Sequence, residues 1–365
     1  MQKIKRILST VPKAFWIILA LALAAWVIQL IANAVPSFAD AMGGSMSHAL
    51  RAALAYLTAL LPFSLAELFI LGIPIWILLL VLLARRLLKK GKNAVRLCCG
   101  FLAVLPTVYI LFVFSMGMGY ASSPLEERLS LDTDKKITAE ELFDTSLWLA
   151  KEANRAAAEI TFAENGESIM PYGRSEMNQK LIDAYKTLCE RYDFINTFSV
   201  GVKPVLMSRA MSYTGITGVY SFFTGEANLN TAYPDFSNAY TAAHEMAHAR
   251  GIARENEANF VAFLALECSD DAYLNYAAYV NLLQYVMNAM ARTDKELFRT
   301  VYESLSDTVK NELKAYNDFV SSVNDHPIRD VAESVNNAYL QGVGTEGTVS
   351  YSLVVNLAVA YHREK

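Results

Sequence analysis

The sequence predicts a mainly α chain, in which N-terminal transmembrane helices are followed by a soluble α+β domain with a small sheet. Three observations predict it. Hydrophobic residues make up 54% of the 365 positions, above the usual soluble share, and the excess is concentrated in the first third. The remainder is punctuated by helix caps and by apolar residues at helical spacing. Only two short runs in it are rich in β-branched and aromatic residues. The net charge of -4 is small and gives no basis for nucleic-acid binding.

Residues 1–120 read as the membrane part. Phe15 to Val35 is interrupted only by Gln29 and Asn33 and reaches the roughly 20 residues that cross a bilayer. It lacks the small-residue cleavage pattern of a secretory signal and more spans follow, so it reads as a retained anchor. Ser64 to Ala84 is the second span. Its start, Phe63-Ser64-Leu-Ala-Glu67-Leu68, is a capping box with a hydrophobic staple, which makes Glu67 a helix-start partner rather than a proton relay. Cys98 to Met118 is the third span. Between the first two, Ser47 to Leu61 is apolar but too short to cross and carries His48 and Arg51, so it is expected to lie on the membrane surface.

Basic residues orient the spans. Lys3, Lys5, Arg6 and Lys13 precede the first, and Arg85, Arg86, Lys89, Lys90, Lys92 and Arg96 fill the loop between the second and third. Both groups belong in the cytoplasm, so three spans carry everything after Tyr120 to the other side. A fourth span at 47–61 would reverse this, and would conflict with the basic second loop.

Residues 121–365 are long enough for one domain with its own core. Thr138-Ala-Glu-Glu141 is a capping box opening a helix through Ala158 into Ile160. Ser175 to Tyr192 is a second helix, with Leu181, Ile182, Tyr185 and Leu188 on one face. Val200 to Met207 and Gly218 to Phe223 are the β-like runs. The turn-rich stretch Thr224 to Asn230 follows, where Glu226 and Asn228 either line a substrate cleft or belong to a plain hairpin turn. Later, Ala272 to Met290 is a tyrosine-rich core helix, Asp294 to Val323 a charged helix or helical pair, and Gly342 to Tyr351 a glycine-rich loop leading to a last helix through Ala360. Cys98 and Cys99 fall at a membrane boundary. Cys189 and Cys268 form one disulfide if they are near each other, and are otherwise free.

Chemistry concentrates in Tyr240-Thr-Ala-Ala-His244-Glu245-Met-Ala-His248-Ala-Arg-Gly251, which contains the pattern H-E-x-x-H. Pro234 to Asn238 supplies a start and Gly251 a stop, so the pattern lies on a helix. There His244 and His248 are one turn apart on one face and can converge on one metal ion. Glu245 sits beside that face, where it can hold a metal-bound water whose pKa the metal lowers to roughly 7.

A third ligand is required. His248-Ala-Arg-Gly251-Ile-Ala-Arg254 follows the metzincin spacing but ends in arginine, which cannot ligate zinc. Glu255, Ala258, Asn259 and Ala262 recur at helical spacing on a narrow face that would let a second helix approach closely, with Glu255 toward the metal. Glu257 is the rival ligand, or else a solvated charge on the outer face.

In this the chain resembles the gluzincins, whose sites are completed by a glutamate from a second helix. Glu255-x-x-Ala258-Asn259 is similar to the E-x-x-A-D of membrane prenyl-protein endoproteases and the E-x-x-A-N of peptidases that cleave bacterial repressors. The resemblance implies that Glu255 is the ligand and that Asn259 orients a ligating histidine. A small sheet before the motif helix resembles the zincin arrangement, in which an edge strand receives the substrate backbone. Tyr351 and His326 are candidate oxyanion donors. The three spans, Pro62-Phe63-Ser64, Phe223-Thr-Gly-Glu-Ala-Asn228 and the metal motif together look like an uncharacterised family of bacterial membrane proteins with a predicted gluzincin-type metallopeptidase domain.

That resemblance implies a multi-pass protein of the bacterial cytoplasmic membrane, with its N-terminus cytoplasmic and its C-terminal domain outside. The expected activity is zinc-dependent peptide hydrolysis, with one Zn2+ per chain, a peptide or protein substrate, and the lipid bilayer as partner. The alternatives are hydrolysis of a non-peptide amide such as a cell-wall component, or a non-catalytic scaffold on the zincin fold.

Overall fold

The computed structural model of the protein describes residues 10–89 and 94–365. Lys3, Lys5, Arg6, Lys90 and Lys92, used above to orient the spans, lie outside the described residues. The chain is mainly α with small sheets.

Helix α1 (Lys13–Ala34) runs to Val35, where Pro36 stops it and opens α2 (Pro36–Met42). A π-helical turn at Gly43–Ser47 leads into α3 (His48–Ala59). The predicted second span is two helices, α4 (Leu65–Leu71) and α5 (Ile73–Lys89), bent by 63°. The bend falls at Gly72, and Pro74 just beyond it has no N–H to return to Ile70. Helix α6 (Ala94–Ala121) carries a second π-helical turn at Val113–Gly117. Both α1 and α6 are long and apolar enough to cross a membrane, and the bent pair makes a third span if it crosses as one.

One expectation for this region changes. Ser64 does accept from the Glu67 N–H, but Glu67 does not complete the box. Its carboxylate accepts from the backbone N–H groups of Leu206 and Met207, at 2.9 and 2.8 Å. Helix α3 is wedged between the apolar helices and the remainder of the chain. Arg51, Ala55 and Thr58 are buried there, and Gly225 lies so close to Leu54 and Ala55 that a side chain at 225 would collide with both.

Beyond Ala121, the Thr138–Glu141 capping box opens α7 (Ala139–Ala157) as its spacing predicts. An unpredicted hairpin of β1 (Thr161–Phe162) and β2 (Ser168–Ile169) precedes α8 (Arg174–Arg191). The second sheet has the order β3-β5-β4. In it β3 (Lys203–Pro204) runs parallel to β5 (Glu226–Leu229), and β4 (Gly218–Ser221) runs antiparallel to β5 with Gly218 opposite Leu229. The strand β5 occupies part of the stretch read as a turn.

The core is built on three helices, α9 (Asp235–Ala249), α10 (Glu255–Glu267) and α11 (Ala272–Thr293), with Phe236, Phe260, Val261, Tyr276 and Leu282 fully buried among them. Small residues at Ala243, Ala247, Ala258 and Ala262 let α9 and α10 approach. Two tyrosine hydroxyls pin this packing by donating to backbone carbonyls, Tyr185 to Ala243 at 2.6 Å and Tyr240 to Asn259 at 2.7 Å. The charged region is a pair, α12 (Lys295–Ser304) and α13 (Asp307–Asn324). It is followed by α14 (Pro327–Gly342), which the sequence reading leaves unassigned, a 3-10 helix at Gly347–Leu353, and α15 (Val354–Arg363). Cys189 and Cys268 do not pair, and all four cysteines are free.

Candidate metal centre

Helix α9 begins after Pro234, as predicted, and ends where Gly251 takes φ 97°, a left-handed conformation that favours glycine. The turn at Gly251 reverses the chain, so α10 starts with Glu255 facing α9. Glu255 Oε2 lies 3.2 Å from His244 Nε2 and 3.4 Å from His248 Nε2. The imidazole rings are perpendicular, 4.6 Å between centroids, and one ligand atom from each of the three residues lies within 4.8 Å of the others. All three side chains are buried.

His248 Nδ1 is 2.7 Å from the Ile252 carbonyl, which places a proton on Nδ1 and directs Nε2 into the cluster. Burial opposes the charged imidazolium of His248, but the charge and hydrogen bond of Glu255 outweigh it and raise the pKa to about 9. Burial likewise works against ionisation of Glu255, yet the two histidines hold its carboxyl far below the ordinary range. For Glu245 burial prevails over the nearby histidines and lifts the pKa to about 7, with the Tyr220 backbone favouring the ionised form.

Glu245 is buried, and its Oε2 has no hydrogen-bond partner. It faces the first residue of β4. A Cβ added to Gly218 would stand 2.6 Å from Glu245 Oε1 and 2.8 Å from the Thr241 methyl, so β4 approaches this carboxylate as closely as backbone can. Neither Gly218 nor the Tyr220 backbone was singled out from sequence. A glycine opening a β-like run was the available signal.

The other predicted site residues fall elsewhere. Glu257, read as rival ligand or solvated charge, is neither part of the cluster nor exposed: it is 4% accessible, 2.7 Å from Arg254 Nη1, and accepts from the Leu125 N–H. No hydrogen bond joins Asn259 to a histidine among the described residues: its side chain bonds to Tyr285, and His244 Nδ1 is buried without a partner. Glu226 does not line an open cleft. Its buried carboxylate accepts from the N–H groups of Leu65 and Ala66 at the start of α4 and pairs with Lys203 at 2.7 Å. Asn228 donates to the carbonyls of Val219 and Glu226 and so braces the hairpin. His326 stacks on Tyr213 and accepts from the Ile328 N–H as the cap of α14. Tyr351 lies in the 3-10 helix, and its side chain is outside the described residues.

Two buried arginines near the centre were not anticipated. Arg250, just past the motif, donates to the carbonyls of Met246 and Phe198 and stacks on Tyr185, 4.0 Å from the ring centroid. Arg51 of α3 donates to the carbonyls of Gly43, Ser115 and Arg250, joining both π-helical turns to the end of α9. Backbone carbonyls released by a π turn are natural partners for a guanidinium.

The chain belongs to the protein family of unknown function DUF3810, whose profile matches residues 44–359 and so takes in His244, His248 and Glu255 and most of the apolar helices. No curated protein and no solved structure matches the chain.

Proposed function

We propose that the protein is a membrane-anchored zinc metallopeptidase whose active site is His244, His248, Glu255 and Glu245. The observation that carries this reading is the spacing of the three ligand atoms. Zinc held tetrahedrally at about 2.0–2.1 Å from each ligand separates neighbouring ligand atoms by about 3.4 Å. The Glu255 oxygen stands 3.2 and 3.4 Å from the two Nε2 atoms. Two imidazoles and one carboxylate are also the donor set of a hydrolytic zinc site.

When bound, the ion would supply an acidified water and polarise the scissile carbonyl. Glu245 is the residue that moves the proton: it takes it from the attacking water and delivers it to the leaving amine. In the metal-free protein burial lifts its pKa to about 7, and a bound cation would favour the ionised form that accepts the proton. The Ile252 carbonyl keeps His248 in the ligating tautomer. In the same reading the N-terminus is cytoplasmic and residues 121–365 form the catalytic domain on the outer side of the cytoplasmic membrane, from the basic residues flanking the spans.

Elemental analysis of the detergent-purified protein tests the centre. About one zinc per chain is expected in the wild type and in Glu257→Ala, whose carboxylate is committed to Arg254, with loss of about 10–100-fold in affinity or more in His244→Ala and Glu255→Ala. Zinc retained by Glu255→Ala and lost by Glu257→Ala would move the third ligand. Activity is tested by incubating the zinc-loaded protein with a peptide library and mapping new termini by mass spectrometry.

Zinc binding is also expected to release a proton from His248. With a pKa of about 9 in the free protein, this imidazole is charged at pH 7.5 and must lose its proton to ligate. Calorimetry in buffers of different ionisation heat should show the release falling by about one proton as the pH rises from 8 to 10. A release that stays constant over that range would mean that His248 is already neutral.

A further inference from the structure

We propose, on the metallopeptidase reading, that the substrates are polypeptides anchored in the bilayer, which pair with the free edge of β4 and are cut a few residues from where they leave the membrane. The inference rests on where the two ends of β4 lie. At one end Gly218 is packed on Glu245. At the other, Ser221 runs into Phe222 and Phe223, whose rings meet the apolar helices: Phe222 is 5.6 Å from Phe112 of α6, edge to face, and Phe223 is 6.4 Å from Phe69 of α4.

The strand therefore leads from the apolar helices to the carboxylate. Among the described residues it is paired on one side only, to β5, and Val219 at its middle is 44% exposed. Apart from the Tyr220 N–H, which donates to Glu245, such an edge offers N–H and C=O groups to another strand. The hairpin cannot swing away. Glu226, opposite Ser221, is bonded to the first N–H groups of α4, and the turn at Gly225 is seated against α3.

The neighbouring surface is apolar as well. Leu206 and Met207 are 77% and 50% exposed while their backbone N–H groups are held by Glu67 of α4. Two large apolar side chains fixed in the open beside a membrane helix are suited to lipid.

Strand geometry turns this into a distance. Phe222 is four residues on from Gly218, and at about 3.3 Å per residue the track is about 13 Å long. A substrate extended along β4 would thus present its scissile bond about four residues from the segment level with Phe222.

The test uses the full-length, zinc-loaded protein in phosphatidylethanolamine–phosphatidylglycerol vesicles. One reporter has a single apolar transmembrane helix followed by a long unstructured segment of randomised sequence, and a second has the same segment without the helix. Mass spectrometry of the products should place the cuts about three to six residues from the end of the helix, and the anchored reporter should be cut at least about tenfold faster. Cuts spread evenly along the segment, or equal rates for the two reporters, would overturn the proposal while leaving a peptidase. No cutting of either reporter, with zinc bound, would overturn the peptidase reading itself and this proposal with it.

Discussion

Glu245→Gln is expected to lower peptide hydrolysis by about 10^3-fold while leaving zinc content and fold unchanged, which is the range for losing a positioned general base. Glutamine fills the same volume and keeps an oxygen for hydrogen bonding, but cannot accept a proton. The ligand cluster does not depend on Glu245, because the Oε2 of Glu255 lies within 3.4 Å of both histidines without it. The change replaces a buried carboxylate by a neutral amide of the same volume, so thermal stability should hold. Circular dichroism, zinc content and turnover on the same preparation check the three parts. A zinc-loaded variant with full turnover would sink the proposed mechanism.

The parts of this arrangement that were legible in the sequence are those set by local rules. His244 and His248 share a face because helical spacing puts them there, and the helix is bounded by Pro234 and Gly251, both of which act within a few residues. The Thr138–Glu141 box is equally local. What was illegible depends on contacts far apart in the chain. Glu67 looked like half of a capping box and bonds instead to residues about 140 positions away. Glu257 read as a rival ligand or as a solvated charge on the outer helix face, and is buried because Leu125 and Arg254 close over it.

The strand β5 shows the same limit from another side. Glu-Ala-Asn-Leu has little β propensity, and its strand form comes from pairing on both edges and from burial on α9. Helix α14 went unassigned although Ile328, Val331 and Val335 recur at helical spacing. In the structure that stripe is exposed and Leu340 alone is fully buried, so the spacing marks a helix but not a core-facing one.

The close approach of β4 to Glu245 leads to the second large effect. Gly218→Ala is expected to cut activity by about 10^2-fold, the scale on which misplacing a reacting group by about 1 Å is felt. The added methyl would meet Glu245 Oε1 at 2.6 Å, its Cγ at 2.8 Å and the Thr241 Cγ2 at 2.8 Å. Of these the carboxylate end is the easiest to displace, since it is the tip of a flexible side chain with one oxygen unpartnered. The strain is thus relieved by moving the proposed base, and the fold should lose no more than about 1–3 kcal/mol. Zinc content should stay at the wild-type level, because no atom of His244, His248 or Glu255 is among the three that the methyl meets first. Thr241→Ser removes the crowding methyl from the other side, so the double variant should recover part of the lost turnover. Equal loss in single and double variants, with zinc bound and melting temperature unchanged, would show that the β4 backbone does not set the position of Glu245.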